Sequence, residues 1–243
     1  MSTSFEVFEM KISKEWKGDD VRVEVLYSVA GVATSVIMEV NDKYFVLDAG
    51  DGLLRDMVTR GYDPMDLRAI MISHGHYDHI GALWAIMGFM RMMGREEELY
   101  VVTPKNCAEA EVLIEKFKEL HRDSMFYNIL HMELVPEQTV IIDNCAITAF
   151  ETLHGGLIAG RVLPRVPSIG YIIDVEGQKV VYTGDSGDCA SLRNAVKGAD
   201  LAIIEATWEE GESNESNYHL CINTAEEIGK TAKNYMIIHR KAK

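Results

Sequence analysis

Short apolar runs alternate with amphipathic segments along most of the chain. Runs of strand length, several with a two-residue period, predict strands at 21–29, 34–40, 43–50, 67–73, 98–103, 129–134, 139–143, 145–152, 169–175, 178–183, 200–205 and 235–239. Segments of helical period predict helices at 52–61, 80–94, 104–122, 189–197 and 222–233. Pro104 is expected near the first position of its helix, and the Gly- and Pro-rich stretch 155–168 is expected to be a loop.

The order of these elements repeats. Strand hairpins followed by strand–helix units occur in both halves of the chain, which predicts an α/β protein with two halves. Two sheets packed face to face, with helices outside, would satisfy this order. The 243 residues, 47% of them hydrophobic, can form a core of that size, and we expect a single domain over residues 1–243.

Charge and composition narrow the function classes. The net charge of −14 repels polyanions, so a broad nucleic-acid surface is not expected. The sequence has neither an apolar run of membrane-spanning length nor the apolar segment of a signal peptide, so no membrane partner is expected. Its four cysteines are far apart, which predicts free thiols in a cytoplasmic protein.

The stretch AIMISHGHYDHIGALW, residues 69–84, places four ionisable side chains directly after a buried strand. His74, His76 and Asp78 alternate with other residues, and His79 follows at once. Imidazole nitrogens and carboxylate oxygens are the ligands that borderline divalent cations prefer. Four such groups beside a core strand would carry a large desolvation cost if unpaired, so the stretch predicts a metal site rather than a solvated loop.

Three further polar residues stand at strand ends far along the chain. His154 follows AITAFETL, Asp185 follows KVVYTG, and His239 follows NYMII. Sites of α/β proteins form at such strand ends. Each residue alone is weak evidence, because a single histidine is more often structural. Together with the stretch at 74–79 they complete a set of seven candidate ligands.

The motif H-x-H-x-D-H, a distant histidine, T-G-D and a C-terminal histidine together resemble the metallo-β-lactamase superfamily. The resemblance implies an αββα sandwich with two divalent metal ions at one edge. It assigns His74, His76 and His154 to one metal, Asp78, His79 and His239 to the second, and Asp185 to both. Asp48, in VLDAG, would orient ligands. Zinc is the expected metal, although manganese and iron accept the same ligands.

Several segments resemble the ribonuclease Z branch of this superfamily. They are LDAGDGLLRDM, DHIGAL, RVPSIGYIIDVEG, IIEATW and YHLCINTAEEIGKTAKNYMIIHR. The resemblance implies a dinuclear phosphodiesterase, in which a metal-bridging hydroxide attacks phosphorus. Asp78 could also accept a proton from that water. The substrate would be a small or cyclic phosphodiester, or an RNA end.

The sequence departs from ribonuclease Z at two places. A histidine before Glu-Ala-Thr is thought to protonate the leaving oxygen in that enzyme, whereas this chain has Ile204; Glu205 and His219 are the candidate replacements. The long arm that grips tRNA is replaced by a hairpin turning at Glu176-Gly177. A tRNA 3′ endonuclease is therefore the alternative function and not the first hypothesis.

The remaining hypotheses concern substrate and partners. Arg161 and Arg165 follow His154 and could bind a phosphate, or could simply be solvated loop charges. A homodimer is expected, which could combine scattered basic residues into one groove. A carboxyl or thioester hydrolase, of lactamase or glyoxalase II type, is the alternative chemistry. A non-catalytic binding protein ranks last, because all seven candidate ligands are present.

Overall fold

The computed structural model describes residues 14–158, 161–212 and 217–242. Its first sheet has seven strands, which lie side by side in chain order. They are β1 (Glu15–Lys17), β2 (Arg22–Val29), β3 (Ala33–Val40), β4 (Lys43–Leu47), β5 (Leu67–Met71), β6 (Leu99–Pro104) and β7 (Ile129–Leu134). Strands β1 to β4 pair antiparallel, and β4 to β7 pair parallel.

The second sheet has six strands in the order β15-β14-β13-β12-β9-β8, and β10 pairs with β11 in a separate hairpin. The strands are β8 (Thr139–Ile142), β9 (Cys145–Glu151), β10 (Gly155–Ile158), β11 (Arg161–Arg165), β12 (Ile169–Val175), β13 (Gln178–Tyr182), β14 (Leu201–Glu205) and β15 (Tyr235–Ile238). Strands β13, β14 and β15 run parallel, so their carboxyl ends lie at one edge.

Helices cover the outer face of each sheet, as the sequence predicts. They are α1 (Leu53–Thr59), α2 (Tyr77–Ile80), α3 (Leu83–Met92), α4 (Ala108–His121), α5 (Ala190–Val196) and α6 (Ile222–Gly229). One apolar cluster joins the two sheets, a second packs α1, α3 and α4 on the first sheet, and a third packs α5 and α6 on the second. These layers form the expected αββα sandwich, which brings the carboxyl ends of both parallel strand sets to one edge.

Two predicted boundaries are wrong. Pro104 ends strand β6 instead of starting a helix, and Asn106 then turns the chain in the left-handed region, so α4 begins four residues later. A proline is tolerated at a strand end because its missing N–H breaks no central pairing. The predicted loop 155–168 contains the β10–β11 hairpin, and residues 159 and 160 between its strands lie outside the described residues.

Two predicted helices are shorter than expected. The segment 80–94 forms α3 only from Leu83, because Tyr77–Ile80 form the separate short helix α2, which carries Asp78 and His79. Helix α6 ends at Gly229, where the ring of Tyr235 lies against the glycine and leaves no room for a Cβ atom. A periodic pattern locates helix ends only to within a few residues.

The β12–β13 connection is the two-residue turn that the sequence predicts. Glu176 and Gly177 have φ angles of 53° and 89°, and Val175 pairs directly with Gln178. Two consecutive left-handed residues are typical of a tight hairpin turn. No chain is inserted between these two strands, both of which the structure describes throughout.

Among the described residues, no helix is both long and apolar enough to cross a membrane. The four cysteines are free thiols, as predicted, and Cys107 and Cys145 are buried. Burial raises the pKa of Cys107 to about 11, so this thiol is protonated and unreactive at neutral pH.

Candidate metal centre

The seven candidate ligands lie together at the edge where the parallel strands end. Four follow β5, and the others follow β9, β13 and β15. Their imidazole nitrogens and carboxylate oxygens form overlapping groups, each within 4.8 Å, that comprise His74, His76, Asp78, His79, His154, Asp185 and His239. All but His76 are buried. The two sheets therefore assemble a single centre from segments up to 165 residues apart, counting from 74 to 239.

The first group consists of His74, His76 and His154. Nε2 of His74 lies 2.9 Å from Nδ1 of His76, and Nε2 of His154 lies 3.1 Å from the same atom. The three rings meet edge to face, with centroids 4.4 to 4.9 Å apart. Three imidazole nitrogens thus point at one small volume.

The second group consists of Asp78, His79 and His239. Nε2 of His239 lies 3.4 Å from Oδ2 of Asp78, and Nε2 of His79 lies 3.7 Å from that oxygen. Asp185 stands between the groups, since its Oδ2 is 3.4 Å from His79 Nε2 and from His239 Nε2 and 3.9 Å from His74 Nε2. The arrangement offers two adjacent three-ligand positions with one shared carboxylate.

Asp48 lies beneath the centre and holds several of its parts. It is fully buried, and its backbone has a φ of 59°. Its carboxylate accepts hydrogen bonds from Ser73 N at 2.7 Å, Ser73 Oγ at 2.7 Å, His79 Nδ1 at 2.6 Å and Tyr182 Oη at 2.5 Å. The carboxylate thereby fixes the ring of His79 and the start of the 74–79 segment.

The outer nitrogens of the first group fix the tautomers of two rings. The Ser73 hydroxyl proton goes to Asp48, so Ser73 Oγ, 3.0 Å from His74 Nδ1, accepts the His74 proton. Nδ1 of His154 donates to a backbone carbonyl at 3.3 Å. In the neutral rings, both Nε2 lone pairs therefore face Nδ1 of His76, which has at most one proton to give. Such convergent lone pairs are suited to a cation.

The second group follows the same rule. Nδ1 of His79 donates to Asp48, and Nδ1 of His239 donates at 2.9 Å to Thr207 Oγ1. The hydroxyl proton of Thr207 is donated to the buried carboxylate of Glu205. Both Nε2 atoms then face Oδ2 of Asp185. Nε2 of His79 is buried and makes no hydrogen bond to any residue that the structure describes. A buried lone pair facing carboxylate oxygens is unfavourable unless a positive charge lies between them.

The electrostatics of the first group favour neutral ligands. Burial lowers the pKa of His74 well below its usual range and lowers that of His76. Burial also lowers the pKa of His154 to about 3. These imidazoles are neutral at pH 7, which is the form that binds a metal without first losing a proton.

The second group calls for positive charge. Burial lowers the pKa of His79, but the carboxylates of Asp185 and Asp48 outweigh burial and raise it well above the usual range. Burial raises the pKa of Asp185, yet the imidazoles of His239 and His79 hold it well below its usual range. A divalent cation in this position would satisfy the same carboxylates and displace the proton. The residues therefore fit two cations by ligand type, tautomer and charge.

His219 and Glu205 form a pair beside the centre. Nδ1 of His219 lies 3.2 Å from Oε1 of Glu205 and 3.9 Å from Oδ2 of Asp185. Burial lowers the pKa of His219, but the Glu205 carboxylate outweighs burial and raises it to about 9. Glu205 is fully buried and accepts backbone N–H bonds from Ser186, Thr207 and Leu220. Glu205 therefore raises the pKa of His219 from a buried position, while the His219 side chain borders a cavity.

The structure separates Ile204 from this chemistry. Ile204 is buried in the apolar cluster between the second sheet and helices α5 and α6, on the face of β14 opposite Glu205. No proton donor could act on the centre from position 204, because successive strand residues point to opposite faces. His219 approaches the centre from a separate loop instead.

The two arginines lie on β11, the outer strand of the hairpin that follows His154. Both Arg161 and Arg165 are exposed. Arg165 makes an ion pair with Glu151 at 3.6 Å, with both side chains more than half exposed. The structure thus places both guanidinium groups on the exposed strand of the hairpin that follows His154 and leaves them accessible.

Sequence reasoning missed three residues that organise the centre, namely Ser73, Tyr182 and Thr207. Ser73 and Tyr182 bind Asp48, and Thr207 joins Glu205 to His239. Ser73 and Tyr182 lie next to or close to ligand motifs, but serine, threonine and tyrosine are common at strand ends. No sequence signal distinguishes these hydroxyl groups from others, since their role depends on which atoms fold beside them.

Comparisons with known proteins agree with this architecture. The chain is 28% identical over 238 residues to ribonuclease Z of Pyrococcus furiosus, covering 82% of this chain and 76% of that protein. The short form of human tRNase Z superposes with a TM-score of 0.76 at 19% identity, covering 90% of this chain and 92% of that one. YhfI of Bacillus subtilis, a metallo-β-lactamase fold protein, has a TM-score of 0.74 at 22% identity, covering 93% and 88%.

A family model gives the broader relationship. The model described as a β-lactamase superfamily domain matches residues 43–239, a range that extends from β4 through the last candidate ligand. All seven candidate ligands lie within the matched range. The chain therefore belongs to the β-lactamase superfamily.

Proposed function

We propose that this protein is a dinuclear metal-dependent phosphodiesterase related to ribonuclease Z. The observation that carries the proposal is the set of four imidazoles whose outer nitrogens are already bonded. Those of His74, His79, His154 and His239 leave Nε2 lone pairs that converge beside Asp78 and Asp185. The relatives named ribonuclease Z support a phosphodiester substrate.

In this proposal each of the two groups would hold one cation. His74, His76 and His154 would hold the first, Asp78, His79 and His239 would hold the second, and Asp185 would serve both. Zinc suits a centre rich in histidine nitrogen. Cations held there would supply a water of lowered pKa and positive charge for the phosphoryl oxygens. Asp78, at the second position, would also accept a proton from the attacking water.

His219 is the residue that we assign to the leaving group, and Glu205 orients it. A cavity of about 470 Å³ lies beside the imidazole, and its walls include Leu153, Asn217 and Thr224. A substrate whose phosphorus faces the metal positions could place its leaving group there. Proton transfer from His219 would then avoid the release of an alkoxide.

Replacing His219 with alanine tests this assignment. We expect metal content to stay near two per chain and kcat to fall by about 10²- to 10⁴-fold for a phosphodiester with an alcohol leaving group. The loss should be much smaller for bis-p-nitrophenyl phosphate, because p-nitrophenolate leaves without being protonated. The measurement is kcat for both substrates, together with metal analysis of the purified variant.

His121→Ala is the matched control. His121 contacts Phe117 edge to face at the end of α4 and is not one of the candidate ligands, so its removal should leave both rates unchanged. Equal losses on the two substrates for His219→Ala would contradict a proton-donor role. Wild-type activity with the alcohol leaving group would contradict any role for His219 in the rate.

The substrate class is best tested with three small compounds and one RNA. We expect the zinc- or manganese-loaded protein to hydrolyse bis-p-nitrophenyl phosphate, and to leave nitrocefin and a glutathione thioester unchanged. Turnover of nitrocefin or the thioester alone would replace the phosphodiester proposal with the lactamase or glyoxalase II alternative. Protein loaded with excess metal that retained no ion would overturn the proposed centre.

The RNA substrate in this panel is a precursor tRNA. The tight β12–β13 turn and the net charge of −14 disfavour a large polyanion, so we expect a small phosphodiester or an RNA end to be the better substrate. Arg161 and Arg165 are the cationic groups that we propose for its phosphate. Efficient 3′ cleavage of the precursor would favour the ribonuclease Z alternative, with a homodimer as the proposed source of additional basic contacts.

A further inference from the structure

The turn between β2 and β3 contacts the candidate metal centre through Asp78. Gly31, in this turn, has a φ of 69°, and its N–H donates to Oδ2 of Asp78 at 2.9 Å. The same oxygen faces Nε2 of His239 and of His79. A backbone donor therefore fixes the carboxylate oxygen that the second metal position offers.

Tyr77 holds this turn in place. Its hydroxyl group donates to the carbonyl oxygen of Gly31, although 66% of the tyrosine is exposed to solvent. So exposed a ring contributes little to a core, and its hydrogen bond is its main contact with the turn. Tyr77, which directly precedes Asp78, thus joins the turn to the segment that carries this candidate ligand.

Residues 28–32, which comprise the end of β2 and the turn that follows it (the 28–32 turn), also hold His239. The backbone N–H of His239 donates to Ser28 Oγ at 2.8 Å, at a residue whose φ is 54°. Ala30 N donates to the carbonyl oxygen of Arg240 at 2.9 Å. A residue whose backbone is in the left-handed region needs such local hydrogen bonds to keep that conformation, which sets the direction of its side chain. Two of the four ligands proposed for the second metal are therefore positioned by the 28–32 turn.

We infer that the 28–32 turn, locked by Tyr77, sets the affinity of the second metal position and leaves the first unaffected. The inference rests on the proposed dinuclear centre. His74 and His154 make their outer bonds to Ser73 and to a carbonyl of the 217–220 loop, and no hydrogen bond joins them to the turn within the described part of the chain. Ser28 and Tyr77 are positioning residues in this scheme, since neither offers an atom to the metal.

The test is a pair of single-hydroxyl deletions, Tyr77→Phe and Ser28→Ala. Zinc binding to the metal-free protein is measured by competition with a chromogenic chelator, which resolves the two equivalents. We expect the dissociation constant of one equivalent to rise about tenfold in each variant, and the other equivalent to keep its wild-type value. Ser28→Thr, which keeps a hydroxyl group, should restore wild-type affinity.

Tyr235→Phe and Ser124→Ala are matched controls. They remove the same atoms from residues outside the centre and should bind zinc as the wild type does. Unchanged affinity for both equivalents in Tyr77→Phe and Ser28→Ala would overturn the inference, and so would an equal loss at both positions. A wild-type protein that binds fewer than two equivalents would instead overturn the proposed function, on which the inference rests.

Discussion

Asp185→Asn is expected to lower bound metal from two per chain to one or none and to lower phosphodiesterase activity by at least about 10³-fold. Oδ2 of Asp185 lies within 3.9 Å of Nε2 atoms from both groups, so it is an anionic oxygen that both metal positions can share. The amide of asparagine keeps the shape and removes the charge. Metal analysis of the purified variant and kcat with bis-p-nitrophenyl phosphate measure the two effects.

Asp174→Asn is the matched control for this change. Asp174 lies on β12, is exposed, and accepts a hydrogen bond from the backbone N–H of Gly177 at 3.0 Å. The same replacement there should leave both metal ions bound and the activity close to that of the wild type. A metal content of two in Asp185→Asn, with activity near the wild-type value, would contradict the bridging role.

Asp48→Asn is expected to weaken the second metal position by about 10- to 100-fold without removing any ligand. The four hydrogen-bond donors around Asp48 all need an acceptor, and an amide offers one oxygen in place of two. If the amide N–H faces His79, the imidazole must take its proton on Nε2 and loses the lone pair that faces Asp185. If the amide is reversed, its N–H meets the backbone N–H of Ser73.

Either arrangement in Asp48→Asn also costs stability. A buried donor left without an acceptor costs about 1–3 kcal/mol, so the melting temperature of the metal-free variant should fall. Asp143→Asn makes the same replacement at a surface carboxylate bound to Arg68 and should change neither zinc affinity nor melting temperature appreciably. Zinc affinity equal to that of the wild type in Asp48→Asn would show that the tautomer of His79 does not control the second position.

These predictions share one physical basis. The centre collects buried carboxylates and imidazoles, which are costly to bury when they are uncompensated. The chain offsets this cost in part with hydrogen bonds at the outer atoms and leaves the inner lone pairs directed at two adjacent volumes. Replacements that change the outer bonds should therefore reduce metal affinity, and replacements of the inner atoms should abolish it.

Of the eight histidines in the chain, the sequence separated the candidate ligands from the others. His121 and His131 were not assigned to the centre, and the structure places them on Phe117 and on Thr103, away from it. The separation was possible because the carboxyl ends of parallel strands meet at one edge, so a polar residue after an apolar strand carries positional information. The sandwich itself followed from the spacing of apolar runs.

Other features left no trace in the pattern. The sequence predicts a loop where the β10–β11 hairpin lies. All residues of β11 are exposed, so the strand has no alternation of apolar and polar residues that could mark it in the sequence. The start of α4 was misplaced at Pro104, where strand pairing continues in the folded chain. Such boundaries depend on which partner strand or ring is adjacent, and the local sequence does not specify that partner.

The sequence by itself determined the layers of the fold and the seven candidate ligands, because the order of apolar and polar residues indicates which positions are buried and where each strand ends. Only the tertiary structure decided which nitrogen of each imidazole faces inward. That choice depends on Asp48, Ser73 and Thr207, whose hydrogen bonds form between segments far apart in the chain. Tautomers are set by neighbours in space, and neighbours in space exist only after the sheets have packed.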